Sequence, residues 1–166
     1  HFTLPAPPPG ISAPHFVDAS GTPAPQHHST ARDLASLSRA LIRDSPDHAG
    51  QFAPRELDGN GSRQQNRNGL LGRDPSVDGI KTGHTESAGY CLIGSARRQG
   101  TRYIAVVLGT SGFKAREDAT LALLNYGFNF YETVALRRAG ETVLQARVYQ
   151  GTDHYVCLLY TSPSPR

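Results

Sequence analysis

Tyr90-Cys91-Leu92-Ile93-Gly94-Ser95-Ala96 and Tyr103-Ile104-Ala105-Val106-Val107-Leu108-Gly109 are two apolar, partly β-branched runs, with Arg97-Arg98-Gln99-Gly100 between them. Runs of this length and composition read as strands, and a glycine in so short a connection reads as an antiparallel hairpin. Upstream, Leu34, Leu37, Leu41 and Ile42 recur at helical spacing and predict a core-facing stripe. That helix is expected to start near Ser29 as N-cap, with Asp33 suiting the positive end of the dipole, and to stop at Asp44-Ser45-Pro46. The polar stretch from Arg55 to Asn68 contains Asp58-Gly59-Asn60-Gly61, the chemistry of a hairpin tip. Downstream, a helix is expected from Arg116 to about Asn125, with Leu121 and Leu124 buried. Thr142 to Tyr149 alternates like a strand. Helix, hairpin, helix, strand gives an α+β class, an antiparallel sheet with packed helices.

Composition narrows the function classes. Of 166 residues, 37% are hydrophobic and 19% charged, the balance of a globular chain with a core. The net charge of +3 is spread along the chain with no aromatic-interleaved basic stripe, which argues against nucleic acid as a partner. No run reaches the roughly 18 apolar residues of a membrane span. No signal sequence is visible, and the chain holds no methionine, so it reads as a fragment. Residues 1–14, rich in proline, are expected to be extended or disordered, and residues 15–28 loop-like around Gly21, Pro23 and Pro25. Cys91 and Cys157 do not form a disulfide framework. His27-His28 has no further ligand at metal spacing and reads as a surface loop.

The segment that carries chemistry is Val77-Asp78-Gly79-Ile80-Lys81-Thr82-Gly83-His84-Thr85. Lys81 at the end of an edge strand sets a fixed positive charge beside a cleft. The Thr82 hydroxyl suits a substrate carboxylate, and Gly83 leaves room for another backbone along the strand. Lys-Thr-Gly is the third motif of serine penicillin-binding proteins and class A β-lactamases.

Several further segments carry a resemblance in the same order: His15 through Leu34, Gln65-Asn66-Arg67-Asn68-Gly69-Leu70-Leu71, Phe113-Lys114-Ala115-Arg116-Glu117 and Asn125-Tyr126-Gly127-Phe128. Over roughly residues 15–150 the chain resembles the low-molecular-mass D-alanyl-D-alanine carboxypeptidases, penicillin-binding proteins of the β-lactamase/transpeptidase-like superfamily. The resemblance implies a serine-type hydrolase that removes the terminal D-alanine from peptidoglycan stem peptides, outside the cytoplasmic membrane of a bacterium. Lys81 then assists proton transfer, and the backbone N–H of His84 joins the oxyanion hole, where each donor is worth about 3 kcal/mol. Thr82, Gly83 and Thr85 line the substrate, Arg116 supplies charge for its carboxylate, and Arg67 supports the strand. Peptides ending in D-Ala-D-Ala are the implied partners. So are β-lactams and a membrane for the full-length protein. No metal or organic cofactor is implied.

The family's Ser-x-x-Lys, source of the nucleophile, and its Ser-x-Asn lie upstream of the position matching His15. The one literal Ser-x-x-Lys, Ser111-Gly112-Phe113-Lys114, aligns with a non-catalytic loop. The chain is therefore expected to lack hydrolytic activity. Its parts read as a non-family segment (1–14), the C-terminal part of a transpeptidase-like catalytic domain (15–141), the start of a β-rich domain (142–156) and a foreign tail (157–166). Two other readings stay open: a non-catalytic binder of cell-wall peptide, and a β-lactamase-related hydrolase.

Overall fold

The computed structural model describes residues 15–17, 21–59, 61–134, 138 and 140–160. The expectations for residues 1–14 fall outside them. The chain divides into two compact units, residues 1–131 and 132–166.

In the first unit the elements run α1 (Ala31–Asp44), α2 (Pro46–Gly50), β1 (Glu56–Gly59), β2 (Ser62–Gln65), α3 (Leu70–Arg73), β3 (Val77–Thr85), β4 (Gly89–Arg98), β5 (Thr101–Thr110) and α4 (Phe113–Phe130). β3, β4 and β5 form an antiparallel sheet in that order. β1 and β2 form the small hairpin foreseen at Asp58–Gly61. The class is mixed α+β, as the patterning requires.

The central hairpin is longer than its apolar runs, because Arg98 and Thr101 still pair. Only Gln99 (φ 48°) and Gly100 (φ 83°) turn, both left-handed, which suits a two-residue hairpin. Arg98 leaves the strand end to donate to Asp74 (2.6 Å), Ser76 Oγ (3.1 Å) and Asn125 (2.9 Å), and it lies 4.4 Å from the centre of the Phe128 ring. One arginine thereby fastens the entry to β3 onto the end of α4.

Successive residues of β4 face opposite layers. A Cβ placed on Gly94 would lie 2.5 Å from Thr120 Cγ2 of α4. Ser95 instead lines a cavity with Ile42 of α1 and Ala49 of α2. Helices therefore cover both faces of the sheet, which is why β4 and β5 read as nearly continuous apolar runs rather than alternating ones. The core lies on the α4 side: Leu70, Leu71, Val77, Leu92, Ala96, Ala105 and Leu124, with Tyr103, Leu121 and Phe128 packed around it.

Three local expectations change. The N-cap of α1 is Thr30, not Ser29: Thr30 Oγ1 accepts from Asp33 N (3.1 Å) and donates to its carboxylate (2.8 Å), while Ser29 Oγ is buried without a partner. The Leu34/Leu37/Leu41 stripe is not wholly core. Leu37 is 43% exposed, whereas Ser38 is buried because its hydroxyl donates to Leu34 O (2.7 Å). Neighbouring residues on a helix point about 100° apart, so an arc centred on Ser38 turns Leu37 to solvent. Finally, α4 begins at Phe113 and runs past Asn125 to Phe130. Gly127 does not break it: a side chain there would press on the Tyr103 ring (3.2 Å), and its absence lets that ring pack on the helix and against Phe128.

The second unit is a hairpin of β6 (Thr142–Arg147) and β7 (Tyr155–Leu159), exposed throughout. Cys157, Leu158 and Leu159, which the sequence places in a foreign tail, pair there with Gln145, Leu144 and Thr142.

Candidate functional site

Lys81, Thr82, Gly83, His84 and Thr85 all lie on β3, which pairs only with β4 among the described residues and so has an open edge. Lys81 sits mid-strand rather than at the strand's end; it is exposed, and its ammonium donates to Thr82 O (2.7 Å). Thr82 is half-buried and pairs with Leu92. Gly83 pairs with Cys91, and a Cβ there would meet nothing closer than 3.9 Å. The strand surface at Gly83 is thus open to another backbone. Thr85 closes the β3–β4 turn by accepting from Ala88 N (3.0 Å). With Ser87 and Ala88 it faces Gly21–Pro25 and His27 across a shallow cavity of about 420 Å³.

Arg116 differs most from its expected setting. It is 1% exposed, beneath the sheet rather than at its edge. Its guanidinium donates from Nη1 to Gly83 O (3.3 Å) and Cys91 O (3.4 Å), and from Nη2 to Arg67 O (3.0 Å). Two aromatic rings complete its surroundings, with the guanidinium carbon 4.9 Å from the Phe113 centroid and 5.9 Å from Tyr90. Tyr90 in turn carries the His84 imidazole, ring centres 3.9 Å apart, and meets Phe113 edge-on at 4.7 Å. A buried guanidinium needs hydrogen-bond partners; backbone carbonyls take Nη1 and Nη2, while the buried Nε has none and the π faces of the two rings offset part of that cost.

This arrangement fixes a backbone direction. The Gly83–His84 peptide is trans, since among the described residues the one cis bond is Gly79–Ile80. In a trans peptide the C=O and N–H point oppositely. With Gly83 O turned to Arg116, the His84 N–H points away from Arg116.

Support for β3 comes from Asn68 rather than from the side chain of Arg67, which is exposed. Asn68, 4% exposed, donates to Gly79 O (3.4 Å) and accepts from Leu70 N (3.2 Å). Asn66 holds the neighbouring chain by donating to Phe52 O (3.3 Å) and Pro54 O (3.0 Å). Arg67 contributes its carbonyl. The Asn66-Arg67-Asn68 run is therefore a brace made mostly of amides, and two asparagines either side of Arg67, just ahead of Gly69, were the available signal. At the entry to β3, burial pushes the Asp74 carboxyl up. Hydrogen bonds from Ser76 and Arg98 outweigh this and hold it below the ordinary carboxylate range.

Ser111 and Lys114 are both exposed where β5 gives way to α4. Among the described residues no group of three His, Cys, Asp or Glu side chains could hold a metal. His27 and His28 engage the loop itself: His27 Nδ1 accepts from Val17 N (3.4 Å), and His28 stacks on His15.

Comparison with known proteins gives a consistent result. A family model described as D-alanyl-D-alanine carboxypeptidase matches residues 8–112. The D-alanyl-D-alanine carboxypeptidase DacA of Escherichia coli is 43% identical over 143 residues, 86% of this chain and 36% of that protein. DacF of Bacillus subtilis is 32% identical over 158 residues, 93% of this chain and 41% of that protein. Penicillin binding protein 5 from Haemophilus influenzae superposes with a TM-score of 0.83 at 37% identity, covering 89% of this chain and 44% of that one. Penicillin-binding protein D2 from Listeria monocytogenes, in its cefotaxime-bound form, gives 0.67 at 36% identity, covering 72% and 50%. The chain spans a little over a third of the length of the curated relatives it matches.

Proposed function

We infer the function from one premise: the chain belongs to the D-alanyl-D-alanine carboxypeptidase family. Its role is to supply the carboxylate-binding and oxyanion side of the cleft in a serine-type enzyme that removes the terminal D-alanine from peptidoglycan stem peptides. The observation that carries this is the open edge of β3, where Lys81, Thr82, Gly83 and His84 follow one another with the Gly83–His84 N–H turned away from Arg116.

In the reaction a serine attacks the peptide carbonyl, D-alanine leaves, and water hydrolyses the acyl-enzyme. Thr82 donates its hydroxyl to the terminal carboxylate. Arg116, being buried, acts on that carboxylate by its field rather than by contact. Lys81 keeps the cleft positive while a proton leaves the serine. The His84 N–H receives the negative oxygen of the tetrahedral intermediate, and Gly83 and Thr85 let the substrate lie along the strand. The nucleophile comes from a Ser-x-x-Lys outside residues 15–166, so the chain by itself has no hydrolytic activity. β-Lactams that mimic the D-Ala-D-Ala terminus bind the full-length protein, which works in the periplasm on the outer face of the cytoplasmic membrane.

The test is to read the DNA upstream of the His15 codon and express the longest open frame. An in-frame Ser-x-x-Lys followed by Ser-x-Asn, with labelling by a fluorescent penicillin that the 166-residue chain lacks, is the expected result. An open frame without those motifs and without labelling replaces the enzyme by a non-catalytic peptide binder. Labelling of the 166-residue chain at Ser111 would sink the assignment of residues altogether.

A further inference from the structure

We propose that Arg116 acts on the reaction through the Gly83–His84 peptide, orienting and polarising its N–H as an oxyanion donor, and that Phe113 and Tyr90 are positioning residues that hold the guanidinium to that task. This deepens the carboxypeptidase reading and rests on it.

Three observations converge. The guanidinium is 1% exposed and donates to Gly83 O at 3.3 Å, so its charge falls on the carbonyl of the peptide whose N–H belongs to His84. A donor carrying full charge pulls electron density toward the carbonyl oxygen, leaving the N–H at the other end of the same unit more acidic. Chains of hydrogen bonds strengthen in this way, by about 10–30% per bond in condensed phases. The same Nη1 reaches Cys91 O at 3.4 Å, directly across the strand pair from Gly83, so one group ties β3 to β4 at this register. Nη2 on Arg67 O at 3.0 Å fixes the plane of the fork from a third side.

The rings set where the fork sits. Phe113 opens α4, inside the turn closed by Arg116 N donating to Gly112 O (3.1 Å), and its ring centre is 4.9 Å from the guanidinium carbon. Tyr90 is 5.9 Å away and also carries the His84 imidazole, so it touches both the guanidinium and the residue whose N–H is in question. Phe113 is 55% exposed, so one face of its ring is open to solvent while the other meets the cation and Tyr90. Against Arg116 and Tyr90 it closes the box around the cation.

Isotope-labelled full chain, read by NMR, tests this directly. In Arg116→Gln the Gly83 carbonyl carbon and the His84 amide proton both move upfield relative to the parent. Phe113→Leu produces a smaller shift of the same sign, and Tyr90→Phe, which keeps the ring, produces none. A packing role alone would not yield this paired signature on one peptide unit. Unchanged Gly83 and His84 shifts in folded Arg116→Gln overturn the proposal. Should that variant not fold, unchanged shifts in Phe113→Leu overturn it instead. Adding N-acetyl-D-Ala-D-Ala to the same samples shifts the Thr82 and His84 amides of the parent, and the response at His84 shrinks in Arg116→Gln. An equal response in both chains counts against the proposal. An intact paired signature with no response to the peptide upholds the polarised peptide and sinks the carboxypeptidase reading.

Discussion

At Gly94 side chains of α4 lie close against the sheet, and Gly94→Ala tests how tightly that contact is set. The new methyl would start 2.5 Å from Thr120 Cγ2 and 3.6 Å from Leu124 Cδ1. Reaching an ordinary separation of 3.4 Å requires the helix or strand to yield by 3.4 − 2.5 = 0.9 Å. Thr120 cannot swing aside freely, because it is fully buried and its hydroxyl donates to Arg116 O at 2.7 Å. Overpacking of this kind costs about 1–3 kcal/mol. For a unit of this size each kcal/mol is worth roughly 4 °C, so thermal unfolding should fall by about 4–12 °C. Thr120→Ser removes the obstructing methyl while keeping the hydroxyl. Alone it costs about 1 kcal/mol for a buried methyl. In the double variant the two costs should fall short of their sum by at least about 1 kcal/mol. Circular dichroism melts of the four chains give the cycle. Additive costs, or a Gly94→Ala chain within about 0.5 kcal/mol of the parent, would refute the reasoning. Arg116 lies one turn before Thr120, so displacing α4 should also shift the Gly83 carbonyl signal.

Two further predictions rest on single residues. Asp74 has its carboxyl held below the ordinary range, so its contribution is present above the unfolded carboxylate pKa and disappears as pH falls through the folded one. Asp74→Asn should therefore flatten the loss of stability on acidification below about pH 4, and urea midpoints across that range check it; a parallel slope in both chains contradicts it. Gly89, at φ 65°, has Thr110 O and the Gly109 backbone 3.0–3.2 Å from where a Cβ would sit. Gly89→Ala should cost about 1–3 kcal/mol, and a denaturant midpoint unchanged from the parent would show that the β3–β4 turn can relax.

What the residues disclose depends on whether the deciding force is local. The β4–β5 hairpin was legible because apolar runs and a Gln99-Gly100 turn are set by neighbours in sequence. Its full length was not, since Arg98 pairs for the sake of Asp74, Asn125 and Phe128, all distant along the chain. The order Lys81-Thr82-Gly83-His84 placed the candidate site on an edge strand, and the strand order agrees. Burial of Arg116 was illegible: a charged residue beside Glu117 and Asp118 carries no local sign that the fold encloses it, and the resemblance implied only a charge for the substrate carboxylate. Only the fold brings three carbonyls from β3, β4 and the Arg67 loop to its fork. Asn68 was missed for the same reason, its partner Gly79 being set by the path of β3. Thr30 displaced Ser29 as the cap because both carry the right hydroxyl, and backbone geometry alone chooses between them.

The central claim is that the open edge of β3 receives the carboxylate end of a D-Ala-D-Ala peptide during acyl transfer. Its most direct test is D-alanine release from diacetyl-Lys-D-Ala-D-Ala by the longest open frame containing this chain, beside the same protein with Thr82→Val. A hydrogen bond to a charged group is worth about 1.5–3 kcal/mol, so kcat/KM should fall roughly 10- to 100-fold. Release that is undiminished in Thr82→Val, or absent from the parent protein despite an intact Ser-x-x-Lys, would contradict the account.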